Sequence, residues 1–316
     1  MFICVSLNPA LDKRLTLPSL LPGRVHRART TESFPGGKST HVAMVLRTLG
    51  QAAEWIGPCG GAAGAELVAG LSALGIGANA VFSQQPTRSN LEIIEDSGAV
   101  TEILEPGCAP SLIELAELET GCKRLFSQGR ETSAIFSGSL PAGAASDLYA
   151  RFVALANELG CRTFLDTSGE PLRHALLAQP DFVKPNREEA AQVLEEAIDS
   201  VAVAGTAVRK LLRLGARSAS ISLGAEGLVY CPDHTSPVFF APAVALRPKS
   251  TVGCGDAALA GFARARARNA SPEETLQIAA ACAAANCLAE SPGAARLEDI
   301  ERFQGQIAVQ TLPSGP

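Results

Sequence analysis

Residues 250–265, STVGCGDAALAGFARA, join a glycine-rich turn to the start of a helical pattern. In Gly253, Cys254 and Gly255 we expect three successive backbone N–H groups at a helix N-terminus, which form a favourable site for an anion. Asp256 beside them could accept the proton of an attacking hydroxyl while the N–H groups stabilise a transferred phosphoryl group. It could also simply cap the helix, which we expect to begin there. The residues alone leave both interpretations open.

A second segment with chemical potential is SFPGGKSTH, residues 33–41, which contains the Gly-Lys-Ser ending of an NTPase phosphate loop. That loop needs a glycine five positions before its Gly-Lys pair, and this position holds Glu32, whose carboxylate would repel a phosphate. The preceding residues, RARTTESFP, are also not an apolar strand. A simple Walker loop is therefore excluded, and the two glycines and Lys38 need another explanation.

Oxygen-bearing side chains also follow predicted strands. In FVKPNREEA, Asn186 and Glu189 have the spacing of a helix N-cap and its reciprocal partner. Their oxygens could equally position a hydrated magnesium ion, and Lys184 would point into the same crevice. Asp12 follows the first strand and could bind sugar hydroxyls or serve as a turn residue. Residues 224–227, GAEG, predict a hairpin turn. This turn alone does not indicate a nucleotide contact, which would need support from other motifs.

The elements that position these residues alternate regularly between helix and apolar strand beyond the first third of the chain. The predicted strands there are SAIFSG, CRTFLD, PDFVKPN, SASISLG and GLVYCP. Such alternation predicts a mostly parallel sheet covered on both faces, with ligands beyond the carboxyl ends of the strands. Nearer the N-terminus, FICVSL predicts a strand, and KSTHVAMVLRTL and GAAGAELVAGLSALG predict helices that end at a Leu-Gly pair.

Two segments, residues 13–33 and 86–105, have short alternating runs with turn residues instead of helical periodicity. In the second, residues 96–98 (Asp-Ser-Gly) join two runs as a hairpin. The two segments could pair as one small sheet or be unrelated surface loops. Because no repeat, linker or clear domain break is visible, we expect a single domain over residues 1–316.

Composition limits the class of protein. The chain has 316 residues, 47% of them hydrophobic, and a formal net charge of −5, so it can bury a sizeable core and is not expected to bind nucleic acid. Its nine cysteines form no C-x-x-C pair, and we expect reduced, buried thiols instead of a zinc site. The apolar runs are too short for a signal peptide or a membrane span. We therefore expect a cytoplasmic protein with no membrane partner.

Taken together and in this order, the motifs resemble those of the PfkB (ribokinase-like) carbohydrate kinases. The resemblance is greatest to the branch of 1-phosphofructokinases, tagatose-6-phosphate kinases and minor 6-phosphofructokinases. The matching motifs are SLNPALD, GGK followed by HVAMVLRTLG, TRSNLEI, SGSLPAG, DFVKPNREEA, SLGAEG and STVGCGDAALAG. Seven collinear matches are much more specific than a single glycine-rich loop.

The resemblance implies an α/β fold, a ribokinase-like three-layer sandwich around a mostly parallel sheet. Residues 13–33 and 86–105 would form a small β-sheet lid, which often pairs between subunits in relatives, so a homodimer is expected. It also implies ATP-dependent phosphorylation, with Mg²⁺, of a primary hydroxyl of a ketohexose phosphate.

The implied site has three parts. Asp256 would be the base, and the turn of Gly253, Cys254 and Gly255 would be the anion hole. The acceptor-site residues would be Asp12, Arg24, Gly36, Gly37, Lys38, His41, Arg88 and Ser139. The nucleotide-site residues would be Lys184, Asn186, Ser222, Gly224, Glu226, Gly227, Thr251, Gly253 and Gly255, with Glu189 at the metal.

The chain departs from the family pattern in one motif. The branch usually reads Gly-Gly-Lys-Gly-x-Asn where residues 36–41 read GGKSTH. Ser39 adds a side chain, and His41 replaces an amide that both donates and accepts, which imidazole imitates in only one tautomer. These departures concern the acceptor, which the sequence leaves open among fructose 1-phosphate, fructose 6-phosphate and tagatose 6-phosphate.

Two other functions are compatible with the fold that the resemblance implies. A kinase for an unphosphorylated sugar or a nucleoside is disfavoured by Lys38, Arg24 and Arg88, since three cations suit an anionic acceptor. A non-catalytic sugar-phosphate sensor is disfavoured by the intact turn before Asp256.

Overall fold

The strands form two separate sheets in the computed structural model, which describes residues 1–128 and 131–313. Numbered in chain order, the strands are β1 (Phe2–Val5), β2 (Ala10–Leu17), β3 (Thr30–Gly36), β4 (Ala53–Cys59), β5 (Gly77–Phe82), β6 (Arg88–Glu95), β7 (Val100–Leu104), β8 (Ser133–Ser137), β9 (Arg162–Asp166), β10 (Phe182–Val183), β11 (Ala219–Ser222), β12 (Gly227–Cys231), β13 (Val238–Pro242) and β14 (Gln310–Leu312).

The large sheet has ten strands in the order β14-β13-β12-β11-β10-β9-β8-β1-β4-β5. From β5 to β11 all neighbours are parallel, and β12, β13 and β14 add antiparallel pairs at one edge. Every residue of β1 and β8 is buried, as expected of central strands covered on both faces. The prediction of a mostly parallel sheet is confirmed.

Helices cover both faces of this sheet. They are α1 (Lys38–Thr48), α2 (Gly61–Ala73), α3 (Leu112–Phe126), α4 (Leu148–Glu158), α5 (Gly169–Leu177), α6 (Arg187–Leu194), α7 (Val201–Arg213), α8 (Cys254–Ala267), α9 (Pro272–Asn286) and α10 (Leu297–Gln304). Two hydrophobic cores result, one with α1, α8 and α9 and the other with α3, α4 and α7. The molecule is thus a three-layer sandwich.

The second sheet has four strands in the order β3-β2-β6-β7, and we call it the lid. The two predicted hairpin-like segments therefore pair as one sheet, which extends to Ala10 and Gly36 at its base. β2 and β6 are parallel, and their register sets Asp12 opposite Asn90. This register places a carboxylate and an amide side by side where the lid meets the main body.

Close packing between α8 and α9 holds the turn before α8 in place. Gly261 makes the approach possible, because a Cβ at this position would lie 2.7 Å from the Cα of Ala279. Both helices are rich in alanine, and most of their residues are buried. In the part of the chain that the structure describes, no helix is both long and apolar enough to cross a bilayer.

Candidate active site

Asp256 lies in the first turn of α8, close to the carboxyl ends of β9 and β10. The helix begins at Cys254, and Gly253 is its N-cap residue, so Asp256 is the third helical residue. The helix therefore begins two residues before Asp256, where we had expected its start. The interpretation of Asp256 as the N-cap is also wrong. Asp256 is 4% exposed, which removes the carboxylate from solvent and directs it to partners inside the protein.

The turn before Asp256 has the backbone geometry of an anion site. Gly253 has a φ of 77°, which favours glycine, and a Cβ there would come within 2.9 Å of Pro292. The first hydrogen bond of the helix runs 2.9 Å from the amide of Ala257 to the carbonyl of Gly253. The amide of Cys254, which was expected in the anion site, instead donates a hydrogen bond of 3.3 Å to the carbonyl of Thr251. The amides of Gly255 and Asp256 come before the helical ladder and lie at the positive end of the helix dipole.

Asn286, at the end of α9, supports the same turn. Its Nδ2 donates a hydrogen bond of 2.8 Å to the carbonyl of Val252, and its Oδ1 accepts one of 2.9 Å from the amide of Gly293. Asn286 was not among the residues expected at the site. A buried asparagine at the end of an apolar helix was the available signal, because buried amides need hydrogen-bond partners.

His41 connects Asp256 to the lid. Its Nδ1 lies 3.0 Å from Oδ2 of Asp256, and its Nε2 lies 3.0 Å from Oδ2 of Asp12. His41 is 6% exposed. Burial alone would lower the pKa of this imidazole, but the hydrogen bonds to the two carboxylates and their negative charges raise it to about 10. His41 was expected at the acceptor site, and its contact with Asp256 was not expected.

Asp12 occupies the lid side of the site with its oxygens already oriented. Oδ1 accepts a hydrogen bond of 2.8 Å from Asn90. Burial would raise the pKa of Asp12, but its contacts with His41 and Asn90 lower the pKa below its usual value. Gly36 leaves room for this carboxylate, since a Cβ there would lie 2.2 Å from the Asp12 Cγ. Gly37 has a φ of 89° and turns the chain into α1.

Two polar atoms near Asp12 are buried without a hydrogen-bond partner among the described residues. They are Oδ1 of Asn90 and Nε of Arg88, whose other nitrogens donate to the carbonyls of Glu105 (2.7 Å) and Asn8 (3.1 Å). Buried polar atoms without partners are costly and therefore rare. These two atoms mark the surroundings of Asp12 as polar in the interior of the protein.

A second charged cluster lies on the other side of Asp256 and involves Asp166, at the end of β9. Lys184 is 2.9 Å from its Oδ2, and Lys38 is 3.7 Å from its Oδ1. Burial would raise the pKa of Asp166, but the charges of Lys184 and Lys38 hold it below its usual value. The charge of Asp166 is also the main reason that the pKa of Lys38 is raised.

Asn186 and Glu189 form the capping box of α6. The Asn186 side chain accepts from the amide of Glu189 at 2.8 Å, and Oε2 of Glu189 accepts from the amide of Asn186 at 2.8 Å. The structural interpretation of this spacing is therefore correct. The second carboxylate oxygen, Oε1, lies 3.9 Å from the ammonium of Lys38. Burial, followed by the charge of Asp166, raises the pKa of Glu189.

A cavity of about 840 Å³ opens beside this cluster, between the β11–β12 turn and α8 and α9. A cavity of this volume accommodates a nucleotide-sized molecule. Its walls combine apolar residues such as Val244, Leu246 and Ala283 with the glycines of the β11–β12 turn. The expected nucleotide-site residues on its lining are Asn186, Ser222, Gly224, Glu226, Gly227, Thr251 and Gly255, together with Cys254 from the anion turn.

Comparison with known proteins decides the family. The pfkB family of carbohydrate kinases matches residues 7–299. The chain belongs to this family. A 1-phosphofructokinase of Rhodobacter capsulatus is 31% identical to this chain, and the match covers 98% of this chain and 97% of the relative. A D-tagatose-1-phosphate kinase of Klebsiella oxytoca is also 31% identical, and the match covers 98% of this chain and 99% of the relative. The crystal structure of phosphofructokinase-2 from Escherichia coli with substrates and products matches with a TM-score of 0.89 and 27% identity, covering 97% of this chain and 98% of that one.

This carbohydrate kinase is therefore a phosphotransferase with ATP as its co-substrate. Its fold is the expected ribokinase-like sandwich, since the structure of Arabidopsis thaliana ribokinase with ribose and ATP also matches, with a TM-score of 0.75 at 18% identity. The family resemblance read from seven motifs is confirmed.

Three expected acceptor-site residues of this kinase have surroundings different from those of Asp12 and His41. Arg24 is in the exposed loop between β2 and β3, and Ser139 is exposed after β8. Lys38 has a side chain that is 44% exposed, and its ammonium lies beside Asp166 and Glu189. Asp12, Gly36, Gly37, His41 and Arg88 lie where the lid meets the main body.

Sequence reasoning missed two further residues of this kinase. Asp166 ends CRTFLD, a strand that was predicted, so the rule that ligands lie beyond strand ends could have found it. Arg187 lines the cavity beside the β11–β12 turn and forms an ion pair with Glu226. Glu226 had been expected to contact the nucleotide itself. Cys254 and Cys287 also line this cavity, with their sulfurs 3.1 Å apart.

Proposed function

We propose that this kinase transfers the γ-phosphoryl group of ATP to a primary hydroxyl of a ketohexose phosphate and so forms the bisphosphate. One observation carries the proposal: Asp256 lies between an anion-binding turn on one side and, through His41, an acceptor pocket with Asp12 on the other. A general base must reach the attacking hydroxyl, and this hydroxyl must lie next to the phosphoryl group. The position of Asp256 supports this role.

In the proposed reaction Asp256 accepts the proton of the primary hydroxyl as its oxygen bonds to phosphorus. The amides of Gly255 and Asp256 hold the negative charge of the transferred group, since they point outward at the helix N-terminus. Asp12 and Asn90 bind hydroxyls of the sugar and orient it. Proximity and charge stabilisation supply most of the rate in phosphoryl transfer, and this site offers both.

Magnesium fits the charged cluster beside the nucleotide cavity. Oδ1 of Asp166 is buried without a hydrogen bond among the described residues, and Oε1 of Glu189 is free of the capping box. Carboxylate oxygens are the ligands that Mg²⁺ prefers. The raised pKa of Glu189, caused by burial and by Asp166, indicates a site where a further cation is favourable. Asp166 and Glu189 would hold the ion, which would neutralise charge on the nucleotide phosphates.

The acceptor is proposed to be anionic because of Arg88. Its guanidinium acts on Asp12 through its charge, so a cation lies next to the proposed acceptor site and favours an anionic acceptor. A 1-phosphofructokinase, a D-tagatose-1-phosphate kinase and a tagatose-6-phosphate kinase match this chain with similar identities of 31%, 31% and 30%. The proposed acceptors are therefore fructose 1-phosphate, fructose 6-phosphate, tagatose 6-phosphate and, from the Klebsiella relative, tagatose 1-phosphate.

We also propose a homodimer that forms through the lid, in the cytoplasm. The lid and its loop expose apolar side chains at Val25 (88%), Ile103 (51%) and Leu104 (60%), which pairing would cover. All nine cysteines are free thiols, as in proteins of reducing compartments. Sedimentation analysis that finds only monomer at micromolar concentration would contradict the dimer.

The test of the function is an ATP-consumption assay over a panel of sugars, sugar phosphates and nucleosides, with Asp256→Asn alongside. We expect turnover on a ketohexose phosphate and a loss of kcat of about 100-fold or more in Asp256→Asn, the usual contribution of a general base. Turnover surviving in that variant would refute the role of Asp256. Turnover only on unphosphorylated sugars or nucleosides would refute the anionic acceptor, and tight binding without turnover would favour a sensor.

A further inference from the structure

His41 gives the acceptor pocket a direct link to the general base. It is the fourth residue of α1, and its ring lies between Asp12 of β2 and Asp256 of α8, with 3.0 Å from a ring nitrogen to each carboxylate. The ring is almost fully removed from water, so these two contacts supply its hydrogen bonds. The inference drawn from this arrangement rests on the proposed function, because it assigns His41 a role at the same site.

The two contacts determine the protonation of the ring. A neutral imidazole has one N–H donor and one acceptor nitrogen, so it can satisfy only one of two ionised carboxylates. At the other, a nitrogen lone pair would face an oxygen lone pair. A proton on Asp256 would repair that contact but would occupy the base that the reaction needs. If Asp256 is ionised, both contacts are satisfied only when both ring nitrogens carry a hydrogen.

The surrounding charges favour the same state. The charged groups around the ring are Asp12 from β2, Asp256 from α8, Glu102 from β7, Arg88 from β6 and Lys38 at the start of α1. Of the two carboxylates in contact with the ring, that of Asp256 is buried and that of Asp12 is partly buried, with a side chain that is 14% exposed. Lys38 is 3.7 Å from Asp166 and is not in contact with the ring. Two carboxylates largely removed from water and facing the same ring would be unfavourable without a cation between them.

We propose that His41 is a positioning residue that acts as a permanent imidazolium, donating one hydrogen bond to the general base Asp256 and one to the acceptor-binding Asp12. The bond to Oδ2 of Asp256 fixes the rotation of the carboxylate and leaves Oδ1 to take the proton from the substrate hydroxyl. His41 keeps both of its protons throughout: the hydroxyl proton moves to Oδ1 while the O–P bond forms and the bond to ADP breaks. Binding of the sugar by Asp12 is thereby coupled to the orientation of the base.

The protonation of His41 can be measured without any turnover. In ¹H–¹⁵N long-range spectra at pH 8.5, free histidine is almost entirely neutral, since its pKa is about 6.5. We expect one histidine of the wild type to show two imidazolium-type nitrogens at this pH, and we expect this signal to be missing from His41→Asn. The exposed His234→Asn is the matched control and should retain it. A neutral-tautomer pattern for His41 at pH 8.5 would overturn the proposal.

Kinetics test what the imidazolium does. His41→Leu removes both hydrogen bonds, and we expect kcat to fall about 10- to 100-fold, with a rise in KM for the acceptor and an unchanged KM for ATP. His41→Asn restores one donor and should recover part of kcat. The activity of the wild type should fall near pH 10, where His41 loses its proton, and this fall should be absent from His41→Asn. A merely structural role of His41 would not produce this difference between the two pH profiles. Wild-type kcat and acceptor KM in both variants would refute the role.

The two sets of results separate this inference from the proposed function. If the wild type turns over no sugar phosphate, the proposed function fails, whereas the spectra still decide the protonation of His41. If the wild type is active and His41 is neutral, the proposed function stands and the positioning role is refuted.

Discussion

At the scale of single residues, the two departures from the family motif have different consequences. Ser39 is completely buried; its Oγ lies 2.7 Å from the carbonyl of Val5 and accepts a hydrogen bond of 3.1 Å from the amide of Ser137. The serine therefore ties the start of α1 to the ends of β1 and β8. His41 contacts Asp12, so we expect the departure at His41 to be the one that affects the acceptor.

Asp166 allows a prediction about stability. Asp166→Asn should lower the free energy of unfolding by about 3 kcal/mol or more, because the ammonium of Lys184, whose side chain is only 2% exposed, would lose its anionic partner. Urea denaturation at pH 7 measures the difference. The control is Glu170→Gln, which breaks an exposed pair with Arg173 and should cost about 1 kcal/mol at most. Equal losses in the two variants would contradict the importance of the buried pair.

The sequence predicted most of the individual residues at the site but not their contacts. The turn before Asp256, Asp12 and the Asn186–Glu189 pair all carry local signals of spacing and strand ends. The contact between His41 and Asp256 joins residues 215 positions apart and has no local signal. Lys38 was expected at the acceptor because of the family resemblance, whereas its ammonium lies 3.7 Å from Asp166, which was not predicted at the site.

At the scale of elements, most strands of the large sheet were predicted, whereas β4, β5, β13 and β14 were missed. β4 (AEWIGPC) contains Gly57 and Pro58, and β5 (GANAVF) has few β-branched residues, so neither has the usual composition of a strand. Both are nevertheless parallel strands of the large sheet, at the edge next to β1. Tertiary pairing overrides local propensity here, and no pattern within either segment could reveal its partner.

The junction between β3 and α1 gives a prediction for the acceptor site. Gly36→Ala would place a methyl group 2.2 Å from the Asp12 Cγ, so the carboxylate would have to move away from His41 and Asn90. We expect KM for the acceptor to rise about tenfold or more while KM for ATP stays constant, since misplacement of a binding group by about 1 Å is costly.

Initial rates with each substrate varied in turn measure this effect. The matched control is Gly305→Ala at the end of α10, where an added Cβ would be 3.8 Å from its nearest neighbour. An unchanged acceptor KM in Gly36→Ala, with the protein folded, would show that Asp12 does not bind the acceptor.

At the scale of the whole molecule, the lid and the main body meet around one network of charges. The lid contributes Asp12 and Asn90, and the main body contributes His41 and Asp256. Because the imidazolium of His41 bridges the two parts, its protonation contributes to the stability of the entire fold as well as to the site.

The free energy of unfolding should therefore fall as pH rises through the neutral range. Folded His41 keeps its proton up to a pKa of about 10, whereas an unfolded histidine releases it near pH 6.5. The folded state then binds more protons, so the contribution of His41 is complete below pH 6.5, declines as pH rises and is lost above about pH 10. Between pH 7 and 8 we expect a loss of about 1 kcal/mol, measured by urea denaturation in matched buffers. His41→Asn should flatten this slope and His234→Asn should not; equal slopes in all three proteins would mean that folded His41 titrates normally.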